Sequence, residues 1–86
     1  MARYEIVIRR SVYKDLRSIP NADVKKIIKR IDSLALDPRG PGCEKLSAEE
    51  RYRVRQGNYR IIYSIEDDRL IVTVVKVGHR RDVYER

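Results

Sequence analysis

The chain has little of the chemistry that ligates metals or cross-links: one cysteine, Cys43, and one histidine, His79, among 86 residues. A lone thiol forms no internal disulfide, and two ligands of this kind fall short of the four that a structural zinc site uses. A reducing compartment, no metal and no cofactor are therefore expected. Cys43 sits among Pro and Gly with no histidine near it in sequence, and reads as incidental rather than reactive. No apolar run approaches the ~18 residues of a membrane span. The start Met1-Ala2-Arg3-Tyr4-Glu5 lacks the apolar middle of a signal peptide. The expectation is a cytoplasmic protein that makes no use of a membrane. Glycine loops that cradle phosphate, paired carboxylates and metal-ligand spacings are missing as well.

What the chain does carry is charge. Charged residues make up 38% of it and hydrophobic residues 42%, enough apolar content to fold beneath a densely charged surface. At this length ~60–65% of the unfolded surface is buried on folding, which supports one core, so residues 1–86 read as a single domain. Twenty Lys plus Arg against thirteen Asp plus Glu leave a net charge of +7, and fourteen of the twenty cations are arginine. The planar guanidinium pairs bidentately with phosphate and carboxylate, so this excess points to a polyanionic partner.

Tyr4 to Arg9 alternates with the period of a half-buried strand, Tyr4, Ile6 and Ile8 on one side. Ser11 is placed to cap a short helix with Val12, Leu16 and Ile19 as its apolar stripe, ending near Pro20. Asn21 then reads as the cap of a second helix, with Asp23 favouring its positive end. Val24, Ile27, Ile28, Ile31, Leu34 and Ala35 recur at helical spacing along it. Asp37-Pro38-Arg39-Gly40-Pro41-Gly42 ends that helix, and a loop is expected to about Glu50, with one short turn at Ser47-Ala48-Glu49-Glu50.

Three strands follow, at Tyr52–Gln56, Tyr59–Ile65 and Leu70–Val77. Gly57-Asn58 is a two-residue hairpin signal that sets Gln56 against Tyr59 and Arg55 against Arg60. A second hairpin at Asp67-Asp68 would pair Ile65 with Leu70, Tyr63 with Val72, Ile61 with Val74 and Arg60 with Val75. One face then carries Val54, Ile61, Tyr63, Ile65, Leu70, Val72 and Val74 under the helices. Tyr63 is expected in the core, and Tyr52 shares its face. The fold class is α+β, β-α-α-β-β-β, with a small twisted, mainly antiparallel sheet and an N-terminal helical hairpin on one face.

The opposite face collects Arg53, Arg55 and Arg60 with Ile62, Thr73 and Val75, and unbroken strand period would carry it through Val77 to His79. Like charges set across a sheet, as Arg55 and Arg60 are, destabilise it by a few tenths to about 1 kcal/mol. For an isolated pair of arginines a solvated sheet face is the plain reading, and three arginines converging beside the only histidine favour function instead. Guanidinium groups around a phosphate suit metal-independent RNA cleavage, because charge developing on the phosphorane-like state needs fixed donors. Proton transfer needs other groups, since arginine stays protonated, and His79 and Tyr84 are the titratable candidates. Neighbouring arginines would lower the pKa of His79 and keep it neutral as a base. Tyr84, beside Arg80, Arg81 and Arg86, is placed to stack on a base.

Tyr52-Arg53-Val54-Arg55, Gly57-Asn58-Tyr59-Arg60-Ile61-Ile62-Tyr63 and Val77-Gly78-His79-Arg80-Arg81-Asp82-Val83-Tyr84 together resemble the RelE branch of the RelE/ParE toxin superfamily, over nearly the whole chain. The resemblance implies the toxin of a type II toxin–antitoxin system, a ribosome-dependent mRNA endoribonuclease. It implies as partners a cognate RelB-like antitoxin and the ribosome with mRNA in its decoding site. It also implies the site residues: Arg53 and Arg55 match the family's basic pair on the strand before the hairpin, Arg60 its next arginine, and Arg80 and Tyr84 its terminal arginine and tyrosine. The basic pair is lysine in the best-known members, so a lysine's role as base does not carry over, and His79 is the natural substitute. With Arg86 last, the sequence leaves no room for the extra C-terminal helix of several relatives. The alternative is a ParE-like toxin that inhibits DNA gyrase without cutting RNA.

Overall fold

A computed structural model describes residues 3–46 and 50–79. Strand β1 (Glu5–Ile8) leads into helix α1 (Arg10–Arg17) and helix α2 (Asn21–Ser33), followed by strands β2 (Glu44–Lys45), β3 (Arg51–Gln56), β4 (Tyr59–Glu66) and β5 (Ile71–His79). The strands form one sheet in the order β1-β5-β4-β3-β2. β1 lies parallel to β5, and the other neighbours are antiparallel. The short β2 falls in the stretch expected as loop. It escaped notice because two residues show no periodicity, and only pairing with Tyr52 and Arg53 makes them a strand.

Neither helix starts on the expected cap. Ser11 lies inside the first turn of α1 behind Arg9, and Asn21 is the first residue of α2. The Pro20 carbonyl accepts the amides of Asp23 and Val24 at 2.9 and 3.0 Å, so a residue with no N–H of its own to satisfy opens the helix. The expected stripe on α2 holds: Ile27, Ile31 and Leu34 are sealed from solvent and Ala35 nearly so. With Val12 and Ile19 they cover Tyr52, Val54, Ile61, Tyr63, Val72, Val74 and Val77. The rings of Tyr52 and Tyr63 stack with centroids 5.8 Å apart, and the Tyr63 hydroxyl donates to the Pro38 carbonyl at 2.7 Å.

The first hairpin has the expected register throughout, from Gln56↔Tyr59 to Tyr52↔Tyr63. Of its two turn residues only Gly57 has a positive φ, +60°, which is the pattern of a type II′ turn. The second hairpin departs from expectation twice. Its loop is Asp67–Leu70, two residues longer than a tight turn, with Glu66 opposite Ile71 and Ile65 opposite Val72. Leu70, expected under the helices, instead occupies the turn at φ 53° and is exposed. The carboxylate of Asp67 is taken by the Arg39 guanidinium, at 2.9 Å to each oxygen, and by the Tyr4 hydroxyl at 2.7 Å. That fixes where the turn sits.

The second departure is a bulge. Tyr63 pairs with Val74 but Ile62 pairs with Lys76, so Val75 is an extra residue and alternation inverts beyond it. Unbroken period would have turned Lys76 toward the helices. The bulge turns Lys76 out beside Ile62 and brings Val77 under the helices, where it is sealed. Asp15 of α1 accepts the Val77 amide at 3.2 Å, beyond the point where β1 ceases to cover β5.

Candidate active site

Three of the expected site residues come together on the sheet face away from the helices. Arg53 and Arg55 project from β3 on alternate positions, and Arg60 of β4 stands directly opposite Arg55. On its other flank Arg60 is paired with Gly78, which has no side chain to occupy the space. Unbroken strand period would put Val75 there. The bulge exchanges a branched side chain for a gap beside the guanidinium, and the Nε of Arg60 is buried in the face. At the centre lies Ile62, only 1% exposed, between Arg53 and Lys76. The face thus has one sealed apolar residue, Ile62, flanked by Arg53 and Lys76, with Arg55 and Arg60 beside it.

His79 is not on this face. The bulge inverts its side, so it pairs with Tyr59 under the helices, ring edge to ring face with centroids 5.8 Å apart. The Tyr59 hydroxyl in turn reaches Asp23 of α2 at 3.3 Å, and burial together with that carboxylate pushes the Tyr59 phenol above its ordinary value. His79 lines two clefts with residues of α1, α2 and the first hairpin, with the sheet between it and Arg55. The expected chain of strand period through Val77 to His79 is therefore overturned, and the arginines that were to lower its pKa lie on the far side. Arg80 and Tyr84 lie outside the described residues, as do Ser47, Ala48 and Glu49.

One group missed in the sequence belongs to the face. Glu44, in what read as loop, is the β2 partner of Arg53 and makes an ion pair with its guanidinium. Arg53 is largely covered, at 21% side-chain exposure, while Glu44 remains 65% exposed. The carboxylate therefore orients Arg53 and still opens to solvent beside it. The only available signal was the acidic residue seven positions before the first arginine-bearing strand, and spacing alone does not bring a loop residue into register.

Chemically, the face offers planar donors for the oxygens of a phosphate, one sealed apolar residue and one carboxylate proton acceptor. Comparison with known proteins agrees in family. A family model described as the ParE toxin of type II toxin-antitoxin system, parDE, matches residues 6–84. The Escherichia coli protein named "Putative RelE-like toxin protein" is 27% identical over 86 residues, covering 95% of this chain and 90% of that protein. "Putative toxin RelE1" of Methanocaldococcus jannaschii is 29% identical over 87 residues, with 96% and 97% covered. The crystal structure of the archaeal RelE-RelB complex from Pyrococcus horikoshii superposes at a TM-score of 0.81 with 28% identity, covering 96% of this chain and 100% of the matched one.

Proposed function

This chain belongs to the ParE toxin family of type II toxin–antitoxin systems, within the RelE/ParE superfamily, and we propose that it acts as a RelE-like endoribonuclease that cuts mRNA held in the decoding site of the ribosome. The observation that carries this reading is the convergence of Arg53, Arg55 and Arg60 on one sheet face, with a gap at Gly78 and the carboxylate of Glu44 in contact with Arg53. Arg55 and Arg60 would hold the non-bridging oxygens of the scissile phosphate and stabilise the charge that develops on them as the adjacent 2′-oxygen attacks. The nucleophile is internal to the RNA and guanidinium groups carry the electrostatics, so the step as written calls on no metal ion.

The proton of the 2′-hydroxyl needs an acceptor on the same face. Glu44 is the described side chain placed for it, and its ion pair with Arg53 fixes where the carboxylate sits. Tyr84 keeps its place as a base-stacking platform or secondary proton carrier, and Arg80, matched to the family's terminal arginine, is a further phosphate clamp. His79, across the sheet, drops out of the chemistry. The products are a fragment ending in a 2′,3′-cyclic phosphate or 3′-phosphate and a fragment with a 5′-hydroxyl. A small domain with one basic face positions RNA poorly by itself, so the ribosome supplies much of the alignment and free RNA is a poor substrate. The inhibitory partner is a RelB-like antitoxin, a reading supported by relatives solved as RelE-RelB complexes.

The second reading follows from the family model, which is that of ParE: a toxin that blocks DNA gyrase. Primer extension on mRNA in a translating extract, run beside a gyrase supercoiling assay, separates the two. Cut messages with unimpaired supercoiling support the ribonuclease, and intact messages with blocked supercoiling support the alternative.

A further inference from the structure

Next to the arginine face lies a row of cations on α2, Lys26, Lys29 and Arg30, that no step of the proposed cleavage uses. β2 covers only Tyr52 and Arg53, so among the described residues no strand pairs with the outer edge of β3 from Val54 to Gln56. A groove runs round that edge. At one end a cleft of about 240 Å³ is bounded by Arg53, Arg55 and Glu44 on the sheet and by Arg30 of α2. The groove continues into a cleft of about 320 Å³ between Gln56 and Lys26, Lys29 and Arg30. Arg30 belongs to both clefts. Its guanidinium is held in place by the Ser33 hydroxyl at 3.2 Å and the Pro41 carbonyl at 3.0 Å. Lys26, Lys29 and Arg30 stand at i, i+3 and i+4, so they form one row on the helix, an arrangement of like charges that weakens an isolated helix by a few tenths of a kcal/mol per pair.

Five cations thus line the two clefts against one carboxylate, and Glu44 is already engaged by Arg53. We propose that this groove is a track for the phosphate backbone of the message strand, holding nucleotides that flank the one on the arginine face. The inference rests on the ribonuclease reading for the identity of the strand. Charge complementarity selects a polyanion, and continuity of the clefts with the arginine face, through Arg53 and Arg55, favours the message strand over an acidic protein. A nucleic-acid backbone needs only fixed donors and positive charge, and Lys26, Lys29 and Arg30 supply them in continuity with Arg53 and Arg55.

The test is equilibrium binding of the full chain to message fragments made uncleavable by a 2′-deoxy substitution at the scissile position, short or extended, across a salt series. For wild type the extended fragment should bind tighter and with a steeper salt dependence. In the K26E/K29E double variant that gain should fall about tenfold or more, with the log–log salt slope shallower by ~1.4, the worth of two single-strand phosphate contacts. K26Q/K29Q should fall between. Single-turnover cleavage at saturating programmed ribosomes should stay within about threefold of wild type, because no reacting group is touched. Equal length dependence and slope in the variant and wild type overturn the proposal. So does a loss confined to programmed ribosomes with message fragments unaffected, which would put ribosomal RNA in the groove, or a loss confined to antitoxin binding. If wild type cuts no message yet the length-dependent loss persists, the ribonuclease reading fails while the track stands.

Discussion

On the helix side of the sheet, Val54, Ile61, Tyr63, Val72, Val74 and Val77 are closed over by Val12, Ile27, Ile31 and Leu34. On the other side, Arg53, Arg55 and Arg60 stand round a single sealed residue, Ile62. The first face follows from area removed from water, at roughly 25 cal/mol per Å². The second works against the sheet, since Arg55 opposite Arg60 is a repulsive cross-strand pair. The same strands serve both faces because alternate residues point to opposite sides, so a sequence can tune one side for stability and the other for a ligand with little interference. The bulge at Val75 is where the two demands meet: it rescues Lys76 from the core, seals Val77, and places Gly78 rather than a side chain beside Arg60.

If the two faces are separable in this way, changes on them should fail in different assays. Ile27→Ala should cost ~2–5 kcal/mol of stability, from lost transfer energy and the cavity left behind. Urea denaturation reads this as a lower midpoint, and toxicity should fall only as far as folded protein is lost. Arg60→Ala should abolish growth inhibition through a ~10²–10³-fold slower cleavage on programmed ribosomes, the worth of one oxyanion donor. Its urea midpoint should be unchanged or slightly raised by relief of the Arg55 repulsion. A fully toxic Arg60→Ala protein would make the arginine face a solvated surface and nothing more.

His79 sharpens the contrast, as a titratable group that the fold moves from one face to the other. His79→Phe keeps an aromatic ring against Tyr59 and should cleave within about threefold of wild type with the same pH profile. A positioned acid or base would instead lose ~10²–10⁴-fold and one limb of that profile. The smallest effect is expected at the corner that holds the second turn. The Arg39 guanidinium, and after it the Tyr4 hydroxyl, hold the Asp67 carboxyl below its ordinary value. A carboxyl with a depressed folded-state pKa contributes stability that is complete above the unfolded value near ~4 and is lost as pH falls below it toward the folded value. The melting-temperature gap between wild type and Asp67→Asn should therefore be constant at neutral pH and close only below about pH 4. A gap that closes between pH 5 and 7 would assign it to another group.

Legibility differed along the chain according to how local the determining forces are. The stripe on α2 and the register of the first hairpin were readable because helical spacing and a Gly-Asn turn are set within a few residues. The arginine convergence followed from that register. The caps were misread because Ser11 and Asn21 have the right chemistry but the chain enters each helix one or more residues earlier. The bulge left a faint signal, the sequence Val72-Thr73-Val74-Val75-Lys76-Val77, in which strict alternation buries a lysine.

By itself, then, the sequence determined the α+β order of every element but β2, the apolar content of each, and the placement of Arg53, Arg55 and Arg60 on one side of one hairpin, since all of these depend on residue spacing along single elements. The tertiary structure alone decided that Glu44 joins that face, that Gly78 rather than Val75 flanks Arg60, and that His79 lies beneath the helices. Each of these is a pairing between separate segments, chosen by the free energy of closing one core over Val72, Val74 and Val77 at once, and no local period encodes that choice.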